Sequence, residues 1–125
     1  MKAILYLHGG GNSNHARYAS LIERFATKGI LGHAFDHHAT TLVGRLDEAE
    51  QELAKLKSQH GLSDSEIYVW GSSMGGHIAA RLTKTHPDLA GVILQSAAAY
   101  SQAAENIPFG PDFTAELRRE GSWQD

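Results

Sequence analysis

The chain has no cysteine, which excludes disulfides and thiolate metal sites. It also lacks a long apolar run. The N-terminal stretch from Ala3 to His8 gives way to glycines almost at once, too short for a secretory signal or a membrane span. A cytoplasmic location without a membrane span is therefore the default expectation. Basic charge is sparse as well. The 11 Lys and Arg are scattered against 14 Asp and Glu, for a net charge of −3, and form neither a nucleic-acid footprint nor a membrane-binding face. No internal repeat, low-complexity tract or second domain is visible. What remains is a chain of 125 residues, 42% hydrophobic, enough for one modest domain with its own core. Its eight histidines raise the question of a metal, but no His or carboxylate spacing forms a convincing ligand set, so neither metal nor other cofactor is expected.

Strand and helix signals alternate along the chain. Ala3 to His8 is nearly continuous in apolar residues, as a strand buried on both faces requires. Asn12, Ser13 and Asn14 then offer turn and cap chemistry, and Tyr18, Leu21, Ile22 and Phe25 recur at helical spacing up to Gly29. Ile30 to Phe35 reads as a second strand. Thr40 or Thr41 caps a long helix with Leu42, Leu46, Ala49, Leu53 and Leu56 on one face, stopped by Gly61. Ile67 to Trp70 is a third strand, Met74 to His86 a small-residue helix ended by Pro87, and Ala90 to Gln95 a fourth strand. One further helix is predicted near Phe113 to Glu120. Four strands separated by helices imply an α/β fold, a three-layer sandwich with a parallel sheet and helices on both faces. Ligands in such sheets sit beyond the carboxyl ends of the strands, where strand order reverses.

Two glycine-rich loops fall at carboxyl ends of strands. Gly71-Ser72-Ser73-Met74-Gly75 is a Gly-x-Ser-x-Gly motif set between a strand and a helix, the context of a nucleophile elbow. A chain of this composition contains the pattern by chance at about 0.1 per chain, so its placement carries more weight than its letters. The rival reading is a glycine-rich turn with a helix-capping serine. His8-Gly9-Gly10-Gly11 follows the first strand, where backbone N–H groups are able to face a cleft as an oxyanion site. A phosphate-cradling loop is the alternative there, but the spacing matches neither Gly-x-Gly-x-x-Gly nor a P-loop, and no Lys-Ser/Thr follows.

Together with Phe35-Asp36, and with Pro87 to Leu94 as the next helix-to-strand step, these motifs resemble the α/β-hydrolase superfamily. The likeness is to serine hydrolases of the lysophospholipase, monoacylglycerol lipase and serine aminopeptidase type, and it covers most of residues 3 to 96. The resemblance implies Ser73 as nucleophile, with the backbone amides of Gly10 and Met74 as oxyanion donors. It implies an acyl-enzyme route to hydrolysis of a small ester or amide, and a small-molecule acyl substrate as partner.

In that family the triad runs Ser, then Asp or Glu, then His. After Ser73 the only histidines are His77 and His86, both on the following helix, where His77 reads as a packing or surface residue and His86 sits at the far end, well away from Ser73. His8 reads as a hydrogen-bonding support of its loop. His37 and His38 follow the second strand on the ligand-bearing edge, while His15, His33 and His60 read as solvated. Asp88 falls on the opposite edge of the sheet, and Asp112 and Asp125 lie where an insertion or a helix would sit. The expectation is therefore a single domain spanning 1–125 that forms the N-terminal portion of a hydrolase of about 180–220 residues. Its fourth strand would be an open edge able to support a homodimer. Tyr100, Ile107, Pro108, Phe109 and Phe113 would begin an apolar lid or pack into the core. A non-catalytic α/β module that binds a ligand or a partner chain is the alternative function.

Overall fold

The computed structural model describes residues 1–10, 13–98, 100, 105 and 107–108. Its elements are β1 (Lys2–Leu7), a 3-10 turn (His15–Tyr18), α1 (Ala19–Ala26), β2 (Ile30–Ala34) and α2 (Leu42–His60). A second 3-10 turn (Asp64–Glu66), β3 (Ile67–Ser72), α3 (Met74–Thr85) and β4 (Gly91–Gln95) follow. The expected α/β alternation is present, with boundaries displaced by a residue or two. The helix expected over Phe113 to Glu120 lies outside the described residues.

All four strands are parallel, in the order β2-β1-β3-β4. The chain first steps from β1 outward to β2, then crosses back over β1 to β3 and on to β4. Because each crossover is right-handed, the reversal of direction moves the connecting helix to the other face of the sheet. Thus α1 covers one face, and α2 and α3 cover the other. β3 is two residues longer than its Ile67 to Trp70 core. Gly71 pairs with Leu7, and Ser72 with Gln95, so the ladder runs up to the turn.

Alternation along β1 and β3 sorts their side chains between two cores. Ala3, Leu5, Leu7, Ile67 and Val69 pack with Ala49, Leu53 and Leu56 of α2 and Ile78, Ala79 and Leu82 of α3. Ile4 and Tyr6 pack with Tyr18 on the other side, joined by Leu21, Ile22 and Phe25 and by the rings of Tyr68 and Trp70. The ends of α2 follow sequence chemistry. Thr41 Oγ1 accepts the Gly44 N–H at 3.0 Å, and Gly61 closes the helix in the left-handed region at φ 64°.

Among the described residues β4 pairs only with β3, and its Val92 and Leu94 are 39% and 48% exposed. The Tyr6 hydroxyl and Trp70 Nε1, on the α1 side of the sheet, are buried without a hydrogen-bond partner among the described residues.

Candidate active site

Ser73 stands between β3 and α3 with φ 51° and ψ −117°, a conformation that L-residues rarely adopt and that costs about 1–3 kcal/mol. The surroundings enforce it. Its N–H donates to the Gln95 carbonyl at 2.9 Å, and its carbonyl accepts from the amides of Gly76 at 2.9 Å and Ala98 at 3.0 Å. A Cβ at Gly71 would collide with the Gly75 carbonyl, and one at Gly75 would collide with the carbonyls of Leu7 and His8. Both glycines of the motif are therefore required by close backbone approach. The result is a serine presented outward: Ser73 is exposed, and its Oγ has no hydrogen bond among the described residues.

The loop after β1 lies directly against this elbow. A Cβ added at Gly9 would lie 3.2 Å from Ser73 Cβ and 3.8 Å from Ser73 Oγ, and one added at Gly10 would lie 2.9 Å from Met74 Cε. Adjacency of the two glycine loops, open in the sequence, follows from the β1–β3 pairing at the point where strand order reverses. Met74 opens α3, so its amide is one of the first-turn N–H groups that a helix leaves free for an anion. Beneath the loops the Tyr18 hydroxyl lies 2.9 Å from the Leu7 carbonyl and 2.7 Å from Ser72 Oγ, and Ser72 donates to Gln95 Oε1 at 3.1 Å. This link ties the ends of β1, β3 and β4 together. Sequence reading gave Tyr18 only as an apolar helix position, because nothing local shows where its hydroxyl ends.

The histidines divide by partner. His8 Nδ1 lies 2.6 Å from the Gly9 carbonyl, and its Nε2 accepts the His37 N–H at 3.2 Å. Those two bonds require a neutral ring with the proton on Nδ1. Burial lowers the His8 pKa, against the opposing pull of the Gly9 bond. His8 thus supports its loop, as expected. His37 is not a cleft residue: its side chain is 0% exposed, with Nδ1 3.0 Å from Glu48 Oε1. Its pKa falls to about 4, chiefly through burial, and its Nε2 has no partner among the described residues that would accept a second proton. Burial raises the Glu48 pKa, but the amides of His38 and Ala39 and the His37 ring outweigh it and hold the carboxylate below its ordinary range.

His77 is buried and engaged, with Nε2 2.8 Å from Glu105 Oε1 and Nδ1 accepting from the Tyr100 amide at 3.4 Å. Arg81 also binds Glu105, and the Tyr100 ring meets His77 edge to face at 5.1 Å. Of the residues expected to form a lid or core, Tyr100 therefore packs on α3, while Phe109 and Phe113 lie outside the described residues. His86 lies at the opposite end of the sheet, 2.6 Å from Glu50 and 3.5 Å from Asp64. His15 is exposed but held 2.8 Å from Asp36. The solvated reading of His33 is corrected, since its ring is only 30% exposed and sits 2.9 Å from Glu52 on α2. Asp88 is exposed in the turn before β4, while Asp112 and Asp125 lie outside the described residues. Among the described residues no histidine bonds to Ser73 Oγ, and no group of three or more His, Asp or Glu forms a metal site. None of their helices is long and apolar enough to cross a membrane.

The profile of the family described as serine aminopeptidase, S33, matches residues 1–120. The chain belongs to this family. Solved structures agree on the α/β-hydrolase fold. A monoacylglycerol lipase of Paleococcus ferrophilus is 24% identical with TM-score 0.65, covering 94% of this chain and 45% of its own. Esterase 2 of Thermogutta terrifontis, phosphonylated by sarin, is 19% identical with TM-score 0.72, covering 95% and 52%. A bacterial heroin esterase is 20% identical with TM-score 0.66, covering 98% and 44%. This S33-family chain thus spans about half the length of these structures. Among curated protein sequences none matches significantly.

Proposed function

We propose that this chain carries the nucleophile of a serine hydrolase that cleaves a small ester or amide through an acyl-enzyme on Ser73. The observation that carries this reading is the exposed Ser73, held at φ 51° and ψ −117° directly against the Gly9–Gly10 loop. A serine that only capped a helix would have no need of that strain. In the proposed first step Ser73 Oγ attacks the substrate carbonyl carbon while its proton passes to a base. The carbonyl oxygen becomes an oxyanion that the amides of Met74 and Gly10 stabilise. Collapse expels the alcohol or amine with that proton and leaves an acyl-serine. Water, giving up a proton to the same base, then releases the acid and restores Ser73. No described histidine hydrogen-bonds Ser73 Oγ, so this reading takes the base and its acid from polypeptide other than the partners that Ser73 has among the described residues. The existence of a sarin-phosphonylated esterase with this fold makes an organophosphorus fluoridate a suitable probe. A fluorophosphonate is expected to label Ser73, with labelling abolished in Ser73→Ala. Absence of labelling in a chain extended to the length of its relatives would overturn the reading.

A second reading, a non-catalytic module that binds a small acyl ligand or a partner chain, is favoured by one observation: Ser73 Oγ lacks a hydrogen-bonded base among the described residues. The same labelling experiment separates the two. We also propose that the chain self-associates through the outer edge of β4, where Val92 and Leu94 are exposed. Light scattering is expected to give a dimer that Leu94→Lys converts to monomer. A monomeric parent chain would contradict it.

A further inference from the structure

We propose that Glu48 is a positioning residue for the proposed oxyanion site: through His37 and the His8 imidazole it sets where the Gly9–Gly10 backbone stands against Ser73. This inference rests on the reading of Ser73 as nucleophile, and a chain of hydrogen bonds carries it. One carboxylate collects three donors from successive residues of the β2–α2 connection. Oε1 receives His37 Nδ1 at 3.0 Å, and Oε2 receives the amides of His38 at 2.9 Å and Ala39 at 3.1 Å. That grip places the His37 N–H on His8 Nε2 at 3.2 Å, and the other His8 nitrogen holds the Gly9 carbonyl at 2.6 Å. The peptide whose oxygen is held there is the one whose nitrogen belongs to Gly10. Fixing that oxygen therefore fixes the direction of the Gly10 N–H, because the peptide is planar.

The anchor itself is rigid. Glu48 precedes Ala49, which with Leu53 and Leu56 is buried against the sheet, so the carboxylate is held by a helix rather than a loop. One turn earlier Arg45 Nε donates to the Ala39 carbonyl at 3.1 Å while its Nη1 lies 3.7 Å from Met74 Sδ. The β2–α2 connection is thereby tied to the elbow as well as to the loop. The same two turns of α2 thus touch the β2–α2 connection and the Met74 side chain. The relay works in one protonation state only. His8 must carry its proton on Nδ1 and keep Nε2 bare. The charged and titratable groups facing the two rings are Arg45 and Glu48 from α2, His15 from the first 3-10 turn, and Asp36 from the β2–α2 connection, besides each other.

Ring-nitrogen NMR of the 125-residue protein tests this without requiring turnover. In the wild type at neutral pH, His8 is expected as the single Nδ1–H tautomer, and a His8 ring with its proton on Nε2 would overturn the proposal. In Glu48→Gln, whose amide cannot accept all three donors, the His8 tautomer is expected to become mixed and the Gly9 and Gly10 amide resonances to shift. Fluorophosphonate labelling of Ser73 is expected to slow at least tenfold. Glu48→Asp, which restores the charge, is expected to recover part of the labelling rate. A purely structural Glu48 would lower thermal stability in Glu48→Gln while leaving His8 and Gly10 unchanged, which overturns the proposal. If a wild-type chain extended to the length of its relatives fails to label, the nucleophile reading falls, and the NMR arm still decides whether Glu48 governs His8 and Gly10. Should Glu48→Gln not fold, a wild-type titration decides instead. The Gly10 amide must move with the same midpoint as the His8 ring, and a Gly10 amide indifferent to His8 protonation overturns the proposal.

Discussion

The two loops that meet at Ser73 are held in place by different physics. The elbow is fixed by steric exclusion, with backbone packed so closely at Gly71 and Gly75 that no side chain fits. The loop after β1 is fixed by a relay of ionisable groups, Glu48 to His37 to His8 to the Gly9 carbonyl. One half is insensitive to pH and intolerant of volume. The other tolerates volume better and depends on where protons sit. A single site thus combines a rigid wall with an adjustable one.

The largest effect expected is at the steric half. Gly75→Ala would drive a methyl into the Leu7 and His8 carbonyls, with no flexible side chain to yield. A loss of more than about 4 kcal/mol, or no folded protein, is expected in urea melts. Near-native stability would mean that the elbow is looser than its contacts indicate.

The relay is expected to respond to acid. His37 titrates near 6.5 when unfolded and at about 4 when folded, so between those values the unfolded chain binds more protons. Its contribution is complete above pH 6.5 and is lost as pH falls toward 4. The loss amounts to about 3 kcal/mol and levels off below that. Chemical denaturation across this range should show the fall in the wild type and much less of it in His37→Gln. An unchanged slope in the variant would remove His37 from the account.

Two smaller effects sharpen the contrast. Ser73→Gly removes side-chain strain at positive φ and is expected to raise stability by about 1 kcal/mol while ending fluorophosphonate labelling. A destabilised variant would argue against strain at the elbow. Gly9→Ala meets Ser73 Cβ at 3.2 Å and the Ser72 carbonyl at 3.3 Å, a tight but not impossible fit. It is expected to cost under about 1 kcal/mol by thermal melting, yet to slow labelling more than its stability change explains.

Much of this organisation is legible in the sequence because it rests on local rules. The Leu42, Ala49, Leu53 and Leu56 stripe, the Thr41 cap and Gly61 mark α2 to within a residue. The Gly-x-Ser-x-Gly spacing marks the elbow because the steric constraint lies within five residues. Parts of the site that depend on long-range pairing were not legible. Glu48 and His37 lie on either side of a loop. Tyr18 reaches Ser72 from 54 residues away, and Glu105 reaches His77 from 28. No periodicity announces such meetings. The same holds for His33, whose partner Glu52 sits 19 residues on, across the sheet-to-helix interface. A β-strand side chain facing a helix is not solvated merely because its residue type is polar.

The most direct test of the central claim is the mass of the intact protein, and of its proteolytic peptides, after brief exposure to p-nitrophenyl butyrate and acid quenching. The expected result is an increment of one butyryl group confined to the peptide bearing Ser73 and absent from Ser73→Ala. No adduct in a chain extended to the length of its relatives, or acylation elsewhere with Ser73 unmodified, would contradict the account.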